Sequence, residues 1–227
     1  MMRTKLMLWG TAAALALGST AAMASVVVVK SLGPSSKAYP PGKTLADSAK
    51  ITLQGGDVVT LLGPGSAKTL RGPGNFNTKQ VAMASSSTRR GRFGALRASE
   101  VARNPSIWDI DVSQNGKTCV SKENKVQLWR PMTEGAVTVK IRKPDGSSEP
   151  LTWASGSALT DWPTGLAIKS GEQYQVEWPA SGDKSTLEFV TVDAPADLVG
   201  TAQVLIANGC NNQLDLLVAS AGKSMGN

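Results

Sequence analysis

From Pro105 to Val192 the chain is cut into short runs of alternating apolar and polar residues, each closed by a turn signal. A period of two puts successive side chains on opposite faces, so such runs bury their apolar halves only as strands of a layered sheet. Residues 106–112 open the series with Ile107, Trp108, Ile110 and Val112, and a turn at 114–116 leads to a second run holding Cys119 and Val120. Residues 126–130 supply a third run, and 136–141 alternate as far as Lys143-Pro144-Asp145-Gly146, a strong turn sequence. Residues 149–153 follow, and 159–163 read as a crossover loop. In 171–178 Tyr174, Val176 and Trp178 share one face, and 185–192 close the set. About seven strands at this spacing predict an immunoglobulin-like β-sandwich over residues 105–193, with the large apolar body of Trp129 between its sheets. The cysteines do not stand where an antibody domain has them.

After the sandwich the period changes. Leu198, Ala202, Leu205 and Ile206 recur at helical spacing, Asn208-Gly209 is a good C-terminal stop, and Asn211 can open a second helix carrying Leu214, Leu217 and Val218. A helical hairpin over 194–222, packed on the sandwich, is the expectation. Cys210 lies in its turn. Cys119 and Cys210 are the two cysteines of the chain and suit one disulfide in an oxidising compartment, two buried thiols being the alternative.

The first residues point the same way. Arg3 and Lys5 precede an apolar run over 6–17, and Ala22-Met23-Ala24 offers small residues where a signal peptidase reads, so residues 1–24 are expected to be a cleaved signal peptide. The run is short for a bilayer span, which needs about 20 residues. A periplasmic or secreted location follows as the expectation. There is no histidine in the sequence, which removes Ser-His-Asp and Cys-His catalysis and every His-ligated metal site.

Residues 25–76 hold short apolar runs among many turn residues. Val26–Val29 reads as a strand, residues 49–53 alternate, Gln54-Gly55-Gly56-Asp57 turns, residues 58–62 return, and Arg71-Gly72-Pro73-Gly74 turns again. This is the spacing of a small β-meander or roll. Residues 51–76, through Gly56, Asp57, Gly72 and Gly74, resemble the glycine-punctuated repeat of FecR-like periplasmic β-domains. The resemblance implies a periplasmic domain that transmits a signal by protein contact. The chain is also similar, more loosely, to exported proteins of Gram-negative bacteria.

Residues 77–104 set Lys79, Arg89, Arg90, Arg92, Arg97 and Arg103 against the single acid Glu100. A basic linker between two nearly neutral domains is expected, and it offers a contact for an anionic surface such as lipid headgroups. The exported location and the lack of interleaved aromatics beyond Phe93 disfavour nucleic acid. Candidate chemistry is sparse. Asp109 and Asp111 fall on one strand face, Ser181 and Lys184 have a Ser-x-x-Lys spacing in a turn, and Ser155-Gly156-Ser157 stands alone. No catalytic, metal or cofactor site is assigned. Trp153, Trp162, Tyr174 and Trp178 could form an aromatic platform, with Trp162, before Pro163, as the surface contact and Trp178 as core. The function expected is non-enzymatic: an exported binding or adaptor protein whose protein partner in the cell envelope meets Trp162, Arg89, Arg90 and Arg92. A FecR-like signalling component and a peptidoglycan-acting enzyme are the alternatives.

Overall fold

A computed structural model describes residues 25–82, 104 and 106–223. The expected signal peptide and the arginines Arg89, Arg90 and Arg92 lie outside the described residues. The fold is mainly β and is completed by two C-terminal helices.

The N-terminal part is built from β1 (Ser25–Leu32), β2 (Thr44–Ala46), β3 (Lys50–Leu53), β4 (Val58–Leu62), β5 (Ala67–Arg71), β6 (Gly74–Asn77) and the one-turn helix α1 (Lys79–Ala82). Strands β2-β1-β4-β5 form one antiparallel sheet, and β3 pairs with β6 in a separate ribbon. Val26 and Val28 point into a core with Ile51, Leu53, Val59, Leu61 and Leu70. Val27 and Val29 point the other way, into a second core shared with the C-terminal helices. Both faces of β1 are therefore covered, which is why four consecutive valines are compatible with one strand. The expected boundary at residue 76 needs correction. Thr78 is fully buried with its hydroxyl on the Ala46 carbonyl (2.7 Å), and Val81 is in the N-terminal core, so residues 77–82 belong to this part and not to a linker.

Two residues of the turns in 51–76, Asp57 and Gly72, are engaged in this fold. Asp57 is almost fully buried, and its carboxylate accepts the amides of Ser35 (2.8 Å) and Gln54 (2.5 Å). Burial pushes its pKa up, but the bonds from Ser35 and Gln54 more than offset this and hold the carboxyl below the ordinary carboxylate range. A methyl group on Gly72 would run into the Gln54 carbonyl, so the second turn of the pattern closes tightly on the first.

The sandwich comprises β7 (Ile110–Asp111), β8 (Gly116–Ser121), β9 (Gln127–Trp129), β10 (Val137–Arg142), β11 (Ser148–Trp153), β12 (Leu159–Asp161), β13 (Gln173–Glu177) and β14 (Lys184–Val192). One sheet has the order β11-β10-β13-β14-β8 and the other β12-β9-β7. Ile110, Leu128, Val139, Ile141, Trp153, Val176, Leu187 and Phe189 fill the space between them. Tyr174, near the start of β13, donates its hydroxyl to the Ala167 carbonyl (2.7 Å), the corner bond that immunoglobulin-like sandwiches make at this place.

Three local expectations are corrected. Residues 106–109 form a turn, closed by Asp109 N–H on the Ser106 carbonyl, and Ile107 and Trp108 pack with the helices instead of opening the sandwich. The turn near 114–116 does not close a hairpin: β7 runs parallel to β9 in one sheet, and β8 runs parallel to β14 in the other. Residues 159–161, expected as loop, are β12, because Trp129 and Leu128 supply strand partners distant in sequence.

Helices α2 (Leu198–Asn208) and α3 (Asn211–Lys223) follow. Asp197 caps α2 by accepting the Gly200 amide (2.8 Å), and Gly209 ends it in the left-handed conformation, φ +72°. The Cys119–Cys210 disulfide is formed, with 5.8 Å between Cα atoms, and both cysteines are fully buried. Val199, Ala202, Leu205, Leu214, Leu217 and Ala221 pack against Val27, Val29 and Leu62 on one side and Cys119 and Val192 on the other. The hairpin is thus the layer through which the N-terminal sheet and the sandwich meet.

Candidate functional site

Two clefts of the sandwich are each organised by one buried polar side chain. The first, about 400 Å³, lies between α3 and the β7 sheet and is lined by Asp109, Asp111, Asp215, Gln114, Asn212 and Gln213 among others. Burial raises the Asp109 pKa. Asp111 is occupied locally, its Oδ1 accepting the Ser113 amide (2.9 Å) and hydroxyl (2.6 Å). Asp109 is in the turn before β7, so the two carboxylates share a cleft and not a strand face. Among the described residues no three His, Cys, Asp or Glu side chains come together to hold a metal ion.

At the back of this cleft Gln213 is 6% exposed. Its Oε1 accepts the Cys119 amide (2.6 Å), while Nε2 donates to the carbonyls of Cys119 (2.8 Å) and Ile107 (2.7 Å). The side-chain amide thus pairs with the outer edge of β8 as a peptide group of a further strand would. Both N–H groups of Nε2 are engaged, and an edge that would otherwise recruit another strand is closed.

The second cleft, about 530 Å³, is the mouth of the sandwich, where the two sheets part. Val112, Ser113, Arg130 and Pro131 come from one sheet and its loops, and Val137, Thr138, Trp178 and Lys184 from the other. Met132, Pro179 and Ala180 form an exposed apolar rim. Met132 is 76% exposed, which is unusual for a large apolar side chain beside a concave surface.

Arg130 forms the floor and is only 2% exposed. Its Nε donates to the Ser157 carbonyl (3.0 Å), and Nη2 donates to the carbonyls of Gly135 (2.9 Å), Ala154 (3.0 Å) and Thr133 (3.4 Å). All four partners are neutral. Nη1 meets no acceptor among the described residues. The guanidinium lies 5.9 Å from the Trp153 ring, which stacks on Trp178 at 6.0 Å and an interplanar angle of 12°. The stack runs from the buried cation to the half-buried Trp178 at the rim.

The aromatic expectation is therefore inverted. Trp162, expected at the surface, is 8% exposed, donates Nε1–H to the Leu166 carbonyl (2.7 Å), and packs edge-on to Tyr174 (5.3 Å) and Phe189 (5.0 Å). The loop that Pro163 begins folds back over the indole and removes it from solvent. Trp153 and Tyr174 are also buried, so of the four aromatics Trp178 is the one that reaches the mouth. Ser181 and Lys184 sit at the mouth, but Lys184 Nζ is held by Glu177 (3.3 Å) and the Ser181 hydroxyl accepts the Asp183 amide (3.3 Å). No protein-family model, curated protein or solved structure matches this chain.

Arg130, Met132 and Gln213 were not singled out in the sequence reading, although a signal for two of them was present. Arg130 is in phase with Leu128 on a strand of period two, and Gln213 stands four residues before Leu217 on a helix.

Proposed function

We propose that this chain is an exported, non-enzymatic binding or adaptor protein that holds a protein partner at the mouth of its sandwich. The observation that carries the reading is the concave surface beside Met132, where Pro131, Trp178, Pro179 and Ala180 leave apolar area open around a buried arginine. Met, Trp and Arg are the side chains that dominate protein interfaces, because they give large contact area or planar hydrogen bonding. Export is supported by the signal-like residues 1–24 and by an oxidised disulfide. Among the described residues no helix is long and apolar enough to cross a membrane.

The test is site-specific photo-cross-linking in the cell envelope, with benzoylphenylalanine at Met132 and, as control, at the exposed Lys50 on β3. A discrete adduct at Met132 alone, unchanged by Asp109→Asn and Asp111→Asn, is expected. Loss of function in the two Asp variants with folding and the adduct intact would replace the adaptor by a carboxylate-dependent enzyme.

A further inference from the structure

Arg130 is a cation taken out of water without an anion beside it. Carbonyl dipoles satisfy Nε and Nη2, yet burying a charge without a counter-charge remains costly, and burial draws its pKa down. Among the described residues Nη1 is the nitrogen left without an acceptor, and its N–H groups can donate to a carboxylate oxygen. The apolar part of the surrounding wall is Pro131, Met132, Val137, Trp178 and Pro179.

A second feature lies alongside. The β10–β13 ladder ends at the pair Lys140 and Glu177, while β10 continues outward through Val137–Val139 with only β11 as partner. Beyond Glu177 the chain turns back to β14, Trp178 N–H bonding to the Asp183 carbonyl while the Trp178 carbonyl accepts the Ser181 and Gly182 amides. The mouth thus borders a short stretch of strand edge with no strand against it, the feature on which an extended peptide adds main-chain hydrogen bonds. Glu134 and Asp183 at the rim oppose a doubly charged anion more strongly than a single carboxylate.

We infer that the mouth receives the free C-terminal carboxylate of an extended apolar peptide, with Arg130 Nη1 as its counter-charge and the Val137–Val139 edge as its main-chain partner. The inference rests on the mouth being the partner-binding surface. Apolar residues of the peptide lie along Met132 and Trp178, and Met132 adapts to their shape because its side chain is unbranched and flexible.

The experiment titrates the full chain with a pool of N-acetylated hexapeptides, randomised over Ala, Val, Leu and Phe at the last three positions. The pool is made once with a free C-terminal carboxylate and once as the C-terminal amide, and dodecanoate is a third probe. The acid pool should bind about tenfold or more tightly than the amide pool, a difference of roughly 1.4 kcal/mol. Met132→Glu, an exposed change that leaves the floor untouched, should weaken the acid pool by at least a similar factor with the thermal transition unchanged. Arg130→Lys should remove the acid-over-amide preference, and if that variant does not fold, Ala180→Glu at the rim should repeat the Met132→Glu result. Equal binding of acid and amide pools, both lost in Met132→Glu, would sink the carboxylate inference and leave the adaptor reading standing. Binding of neither pool together with no adduct at Met132 would sink both. Dodecanoate bound more tightly than the acid pool would replace the peptide by a lipid acid and overturn the inference.

Discussion

Gln213 and Arg130 are two buried polar side chains at two clefts of one sandwich, and they differ in what they leave unbonded. Gln213 uses its oxygen and both N–H groups on the backbone of β8 and of the turn before β7, so no donor remains for a ligand. Arg130 has more donors than the nearby carbonyls engage, and the surplus lies on the floor of an open mouth. A buried polar group with complete bonding belongs to the fold. One with a directed surplus belongs to the fold and to something outside it.

The sharpest way to break this contrast is Gln213→Leu. The Cys119 amide and the Cys119 and Ile107 carbonyls would be left buried without partners, at about 1–3 kcal/mol each, so a loss of roughly 3 kcal/mol or more in denaturant unfolding is expected. A change under about 1 kcal/mol would show that water reaches this edge, and the contrast would fail.

The disulfide beside Gln213 comes next. Replacing Cys119 and Cys210 together by Ala should cost about 2–4 kcal/mol by the loop-closure argument. Because the helices join both β parts, hydrogen exchange should rise first in α2, α3 and β1, and later in β10 and β13. Sandwich strands that open first would contradict the shared helical layer.

Tyr174→Phe has a smaller effect, about 1 kcal/mol at neutral pH, from loss of the bond to Ala167. Burial first, and then the Glu172 carboxylate 3.0 Å away, push the Tyr174 pKa up to about 12. In the unfolded chain the phenol loses its proton near its ordinary value of 10 while the folded one keeps it, so the unfolded state binds fewer protons. The Tyr174 contribution is therefore complete below pH 10 and declines between 10 and about 12. Alkaline unfolding curves of wild type and Tyr174→Phe should converge across that window, and parallel curves would refute the assignment. The smallest effect is Met132→Ser at the rim, where stability should stay within about 0.5 kcal/mol while partner capture falls.

What the amino-acid order determined alone is the local grammar. The alternation in 136–141 and 171–178, the Lys143–Gly146 turn and the Gly209 stop all became the elements they signalled, because period and turn chemistry act over a few neighbours. The pairing of Cys119 with Cys210 was also legible, since two cysteines in an oxidising compartment have one bond to make. Partner choice was decided in three dimensions. Nothing near residue 115 says that β8 will leave β7 for a parallel place beside β14, nor that residues 159–161 will find Trp129 and become a strand. The candidate site was read least well: Trp162 looked exposed because its own loop covers it, and Trp178 looked internal because its exposure follows from where the β10–β13 ladder stops. Arg130 was in phase with Leu128, and its inward direction was available from the sequence. The four carbonyls that hold it come from the loop after β11 and the loop before β10, and only the folded chain brings them to one guanidinium and leaves Nη1 over.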